Sequence, residues 1–219
     1  MVIVLLGKRG MNMRFFQYEE GIKSWRRPRH PFVSLHDIAV VCLALFFVFM
    51  TERWVRLYFV VVVVMFTISA LHHWLPNSGW HYRLDRSAIQ IMIAGTTLPY
   101  AEDILASGGW WFWILWIWAA VFILLKIMFD KLWSESVWLP RVYFITGVLA
   151  VFAMAPVGLR WEGWAILFWL GVGLYTLQLF SYNKQWFNFH LDAFGYREVQ
   201  HLILLMAVGC HTFAALSYA

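Results

Sequence analysis

The sequence predicts an all-α integral membrane protein, a seven-transmembrane helix bundle with its N-terminus in the cytoplasm and its C-terminus outside. Three observations carry this reading. Of 219 residues, 62% are hydrophobic and only 13% charged, which is more apolar surface than a soluble domain needs for its core and matches a polytopic membrane chain. Apolar runs recur at 33–50, 54–75, 87–105, 110–129, 139–156, 163–180 and 199–218. Each is near the roughly 20 residues that a helix needs to cross a hydrocarbon core of about 30 Å.

The third observation is charge. With the N-terminus inside, the tail holds Lys8, Arg9, Arg14, Lys23, Arg26, Arg27 and Arg29, and the inner segments add Arg83, Arg86, Lys126, Lys131, Arg141, Lys184 and Arg197. Only Arg53, Arg56 and Arg160 remain outside, so the 17 Lys and Arg residues divide 14 to 3. All the loops are short enough for the positive-inside rule to apply. The same distribution disposes of nucleic acid as a partner, because the net charge of +5 lies beside apolar spans rather than on one continuous face.

Taken in order, residues 1–32 form a basic, aromatic cytoplasmic tail suited to anionic headgroups, and residues 33–219 form one membrane domain. The run 2–6 is too short for a signal-peptide core and is followed by Lys8 and Arg9, so no cleaved signal is expected. Cys42 and Cys210 fall inside apolar runs and are expected to be buried thiols. Gly95, and Gly171 with Gly173, offer small surfaces for close helix contact. Pro140 suits the first turn of the fifth span, and Pro99 and Pro156 fall towards the outer ends of theirs. Trp110, Trp111, Trp161 and Trp164 are expected in the outer aromatic belt, and Trp74, Trp80, Trp133, Trp138 and Trp186 in the inner one.

The candidate site follows from topology. The second span ends near His73, the third begins near Asp85, and the seventh begins with Glu198 and His201, all on the inner side. Ser69 and His73 are four apart and Glu198 and His201 three apart, so each pair shares a helix face. Two imidazoles beside carboxylates suit Zn²⁺, which takes His nitrogen and carboxylate oxygen and keeps a position for water when catalytic. The plainer alternative is a set of interfacial side chains hydrogen-bonded to headgroups or to one another. His72, His81, His190 and His211 are expected to be packing or interface residues, with His81 and His190 in loops.

These residues resemble the progestin and adipoQ receptor family in its bacterial hemolysin III branch, which belongs with the alkaline ceramidases to a superfamily of membrane hydrolases. Ser69-Ala-Leu-His-His73 is similar to that family's Ser-x-x-x-His at the end of the second span. Leu84-Asp85-Arg86-Ser87-Ala88-Ile89, with Ala94-Gly95-Thr96 and Pro99, resembles its third span, and Val33-Ser34-Leu35-His36 is a fainter echo of its first. The resemblance implies seven helices in a bacterial inner membrane and Zn²⁺ held by one His of span two and two of span seven, with the Ser and Asp nearby. His73 and His201 match that pattern. Arg197 stands where the family has the other His, and a guanidinium has no lone pair to give. The third ligand is then Glu198, a loop residue such as His190 or Asp192, or none.

With zinc, the implied reaction is hydrolysis of an amide or ester in a membrane lipid at the inner leaflet, with Asp85 handling the water and Ser69 donating to the oxyanion. Without it, the chain reads as a membrane regulator or lipid-binding, receptor-like protein in which Arg197 pairs with Asp85 or Glu198. A membrane-permeabilising role, suggested by the hemolysin name, ranks third because no amphipathic pore-forming segment is evident.

Overall fold

A computed structural model describes residues 31–75, 79–129, 138–158, 162–184 and 196–219. Almost all of the expected basic tail therefore lies outside the described residues. Seven long helices run as α1 Pro31–Met50, α2 Arg53–Trp74, α3 Gly79–Gly95, α4 Trp111–Met128, α5 Trp138–Gly158, α6 Gly163–Lys184 and α7 Tyr196–Tyr218. Between α3 and α4 the chain makes a 3₁₀ turn, Leu98–Tyr100, and a short helix, Ala101–Ala106. No strand occurs among the described residues.

Six of the helices, all except α3, are long and apolar enough to cross a membrane. Their outward faces carry Phe49, Ile117, Met128 and Phe213, with Phe49 81% exposed. So much open apolar surface suits lipid and not water. Cys42 is exposed on one such face rather than buried, since α1 turns that side away from its neighbours.

α3 departs from the expected run at 87–105. It begins eight residues earlier, at Gly79, because Tyr82, Arg83, Asp85 and Arg86 join the helix although they are too polar to extend an apolar run. It stops at Gly95 for a local reason. Pro99 has no N–H to carry the ladder on to the Gly95 carbonyl, and the Thr96 and Thr97 hydroxyls donate to the carbonyls of Ile93 and Ala94 in the last turn, each at 2.8 Å. The 3₁₀ turn and short helix then complete the path. His81 consequently sits in α3 and not in a loop.

α2 is the central element. Tyr58, Phe59, Val62, Met65 and Phe66 are all buried along it and join the largest core cluster. Gly95 brings α3 close against it, since a Cβ there would stand 2.8 Å from Val61 Cγ1. Towards α7 the separation is wider and long side chains bridge it: the Tyr58 hydroxyl is 3.2 Å from Thr212 Oγ1. Trp164 proves to be core rather than belt, 4% exposed and stacked on Tyr100 at 5.0 Å, with its indole N–H on Glu162. Trp74, Trp80 and Trp110 are exposed near helix ends, as belt residues would be.

A second core lies between α3, α4 and α5. Its polar centre is Thr146, whose hydroxyl accepts from the Gln90 amide and from the Trp118 indole and donates to the Val142 carbonyl. The same three helices bury the apolar cluster of Ala94, Leu115, Ala119, Ala150 and Ala153. Small residues let these helices approach, and hydrogen bonds give the contact direction where lipid offers no hydrophobic drive.

Candidate functional site

Alternating helix directions bring the start of α1, the end of α2, the start of α3 and the start of α7 to one end of the bundle. His73, in the last turn of α2, and His201, in the second turn of α7, meet there. Their Nε2 atoms are 3.2 Å apart and their rings 4.9 Å apart, nearly perpendicular at 79°. Two nitrogens bound at about 2.0–2.1 Å to one tetrahedral zinc ion stand about 3.3–3.4 Å apart. The observed spacing thus suits either one shared proton or one shared cation.

Behind His201 lies Asp37 of α1. Its Oδ1 is 3.8 Å from His201 Nδ1, and the residue is 0% exposed. Ser69, one turn before His73 on the same face of α2 and itself buried, acts on the Asp37 carboxyl, as does Asp85 of α3. Even so, no hydrogen bond of ordinary geometry reaches either Asp37 oxygen among the described residues. A carboxylate in that state costs several kcal/mol unless a cation or a proton compensates it. The donor set at this end of the bundle is thus an imidazole pair with one buried acid beside it.

The structure thus brings His73 to His201 and sets Asp37 beside His201, with Ser69 and Asp85 near enough to affect the Asp37 carboxyl. Glu198 is buried at 9% exposure in the first turn of α7. No group of three His, Cys, Asp or Glu side chains poised for a metal occurs among the described residues. The Arg197 side chain, His190 and Asp192 lie outside the described residues.

Asp37 is the member that sequence reasoning missed. The resemblance directs attention to His36, one position earlier. The available signal is that Asp37 is the only acidic residue in Pro31–Met50, and an ionisable residue inside an apolar span points inward by default. Ser34, three residues before it, shares its buried face.

Two further groups border or lie apart from this end. A strip of rings leads from His73 to His72 at 5.0 Å and on to Tyr82 at 6.2 Å. The Arg86 guanidinium and the Lys126 ammonium lie 5.2 and 5.5 Å from the centre of the Tyr82 ring. Deeper in α7, His211 stacks on Tyr175 at 5.4 Å and meets Phe168 edge-on at 5.0 Å, a packing residue as expected. No protein-family model matches the chain, and no solved structure matches it. The fold and composition define an all-helical protein of membrane type.

Proposed function

We propose that this is a hemolysin III-like membrane protein of the progestin and adipoQ receptor type, working as a zinc-dependent hydrolase on an amide or ester of a membrane lipid. The observation that supports it most is the approach of His73 Nε2 to His201 Nε2 at 3.2 Å beside the buried Asp37 carboxyl. His73 and His201 would hold the ion, with Glu198 of the same α7 face as the candidate third ligand. When bound, zinc supplies Lewis acidity towards the carbonyl and acidifies water. The chain's own groups do the rest. Asp85 takes and returns the proton of the attacking water, and the Ser69 hydroxyl donates to the oxygen on which negative charge develops. The 14 to 3 division of basic residues supports an inner-leaflet position for this end, from which a lipid would enter sideways between helices.

A second reading, a metal-free membrane regulator or lipid-binding protein, is favoured by one observation. The described residues assemble two imidazoles but no third ligand beside them. Metal analysis by mass spectrometry of the detergent-purified protein separates the readings. About one zinc per chain supports the hydrolase, and a metal-free protein that also releases no fatty acid from amide- or ester-linked lipids supports the regulator.

A further inference from the structure

The imidazole pair poses a chemical question that Asp37 answers. Two neutral imidazoles facing each other Nε2 to Nε2 cannot both carry the proton on that nitrogen, since two N–H groups would collide at 3.2 Å. One ring at least must hold its proton on Nδ1. For His201 that nitrogen lies 3.8 Å from Asp37 Oδ1, beyond hydrogen-bond length by an amount that a small side-chain rotation closes. The carboxylate has a reason to take that bond, because it is fully buried and, beyond the Ser69 hydroxyl that acts on it, no hydrogen bond of ordinary geometry reaches either oxygen among the described residues.

We infer that Asp37 is a positioning residue that accepts a hydrogen bond from His201 Nδ1–H and so turns the His201 Nε2 lone pair towards His73. The chemistry is that of a carboxylate behind a metal-binding imidazole, which fixes the tautomer and ring orientation and raises the basicity of the ligand. Without an ion, His73 donates its Nε2–H to that lone pair. With one, both lone pairs point at a common centre. Helix α1 therefore contributes to a site whose imidazoles come from α2 and α7. The tautomer stands whether or not the protein holds zinc, and only its consequence for metal affinity rests on the reading proposed above.

The experiment uses the full chain in detergent, with ¹⁵N-labelled histidine and His201→Asn to assign the ring signals. In metal-free wild-type protein, His201 shows a protonated Nδ1 and an unprotonated Nε2. Asp37→Asn keeps an acceptor oxygen and keeps that tautomer, whereas Asp37→Leu lets the Nε2–H form appear. Leucine removes a buried charge from an apolar helix, so this variant is expected to fold, and the helical circular dichroism signal checks it. In zinc titrations of the same proteins, the dissociation constant rises about 10–100-fold in Asp37→Leu and less in Asp37→Asn. A wild-type His201 protonated on Nε2, or a tautomer unmoved by Asp37→Leu, overturns the inference. A correct tautomer in a protein that takes up no zinc leaves it standing and removes the metal reading instead.

Discussion

His73 and His201, 128 residues apart in the chain, meet Nε2 to Nε2 at 3.2 Å where the end of α2 faces the start of α7. An encounter of two lone-pair-bearing nitrogens at that distance is poor packing chemistry by itself. Leucine would fill the same space in a membrane bundle without polar atoms to satisfy. The pair makes sense as something that holds a proton or a cation between two helices.

The zinc set gives the first prediction. His73→Ala and His201→Ala each reduce bound zinc to background, measured per chain by mass spectrometry, and Glu198→Gln does the same if its carboxylate is the third ligand. Arg197→His raises zinc content, because it adds an imidazole four residues before His201. Should wild-type protein be metal-free while Arg197→His alone creates a site, the natural protein is metal-free and the hydrolase reading is abandoned.

Much of this architecture can be read from run length. Six of the expected spans coincide with helices because a long apolar run leaves the backbone no choice in lipid but to satisfy itself locally. The third cannot be bounded in that way. Hydropathy registers side chains, whereas a helix begins where its backbone bonds begin, so Tyr82, Arg83, Asp85 and Arg86 fall outside the apolar run although they belong to the first half of α3. Trp164 reads as a belt residue because an indole near a span end serves belt and core alike, and only its neighbours Tyr100 and Tyr218 decide. In the candidate site, helical spacing pairs Ser69 with His73 and Glu198 with His201. The approach of α1, which brings Asp37 behind His201, has no local signature beyond one acid in an apolar helix.

Topology gives the second prediction. A reporter fused after Ala219 is expected outside and one fused before Met1 inside, from the 14 to 3 division of basic residues. Phosphatase activity outside paired with fluorescent-protein emission inside checks both ends in one host. A cytoplasmic C-terminus would reverse the end of the bundle at which the site is placed, and the inner-leaflet assignment would go with it.

The Thr146 cluster gives the third. Thr146→Val keeps the shape but removes the acceptor of both the Gln90 amide and the Trp118 indole, leaving two donors in an apolar core. The expected cost is about 1–2 kcal/mol in equilibrium unfolding in mixed micelles, the range seen for polar contacts between membrane helices. Gln90 already carries one oxygen without a hydrogen-bond partner. Adding Gln90→Leu to Thr146→Val should therefore recover part of the loss, so the double variant is less destabilised than the two single changes added together. Strict additivity would show that the Gln90 amide and Thr146 do not act as a unit.

The fourth concerns two glycines on α6 that look alike in the sequence. A Cβ at Gly171 would stand 2.6 Å from His211 Nε2, whereas at Gly173 nothing lies within 4 Å. His211 has little room to move aside, since Tyr175 stacks on its ring at 5.4 Å and Phe168 meets it edge-on at 5.0 Å. Gly171→Ala is therefore expected to cost about 1–3 kcal/mol, as overpacking does in a filled interior. Gly173→Ala should stabilise by up to about 1 kcal/mol, because alanine loses less conformational freedom than glycine on entering a helix. The cause can be separated from the change itself by combining Gly171→Ala with His211→Ala. Removing the ring forfeits its packing in the wild-type background but relieves the clash in the other, so His211→Ala should cost measurably less in the Gly171→Ala background. Thermal unfolding of the four proteins in one detergent reads this directly, and equal effects of alanine at 171 and 173 would mean that α6 and α7 do not meet through Gly171 and His211.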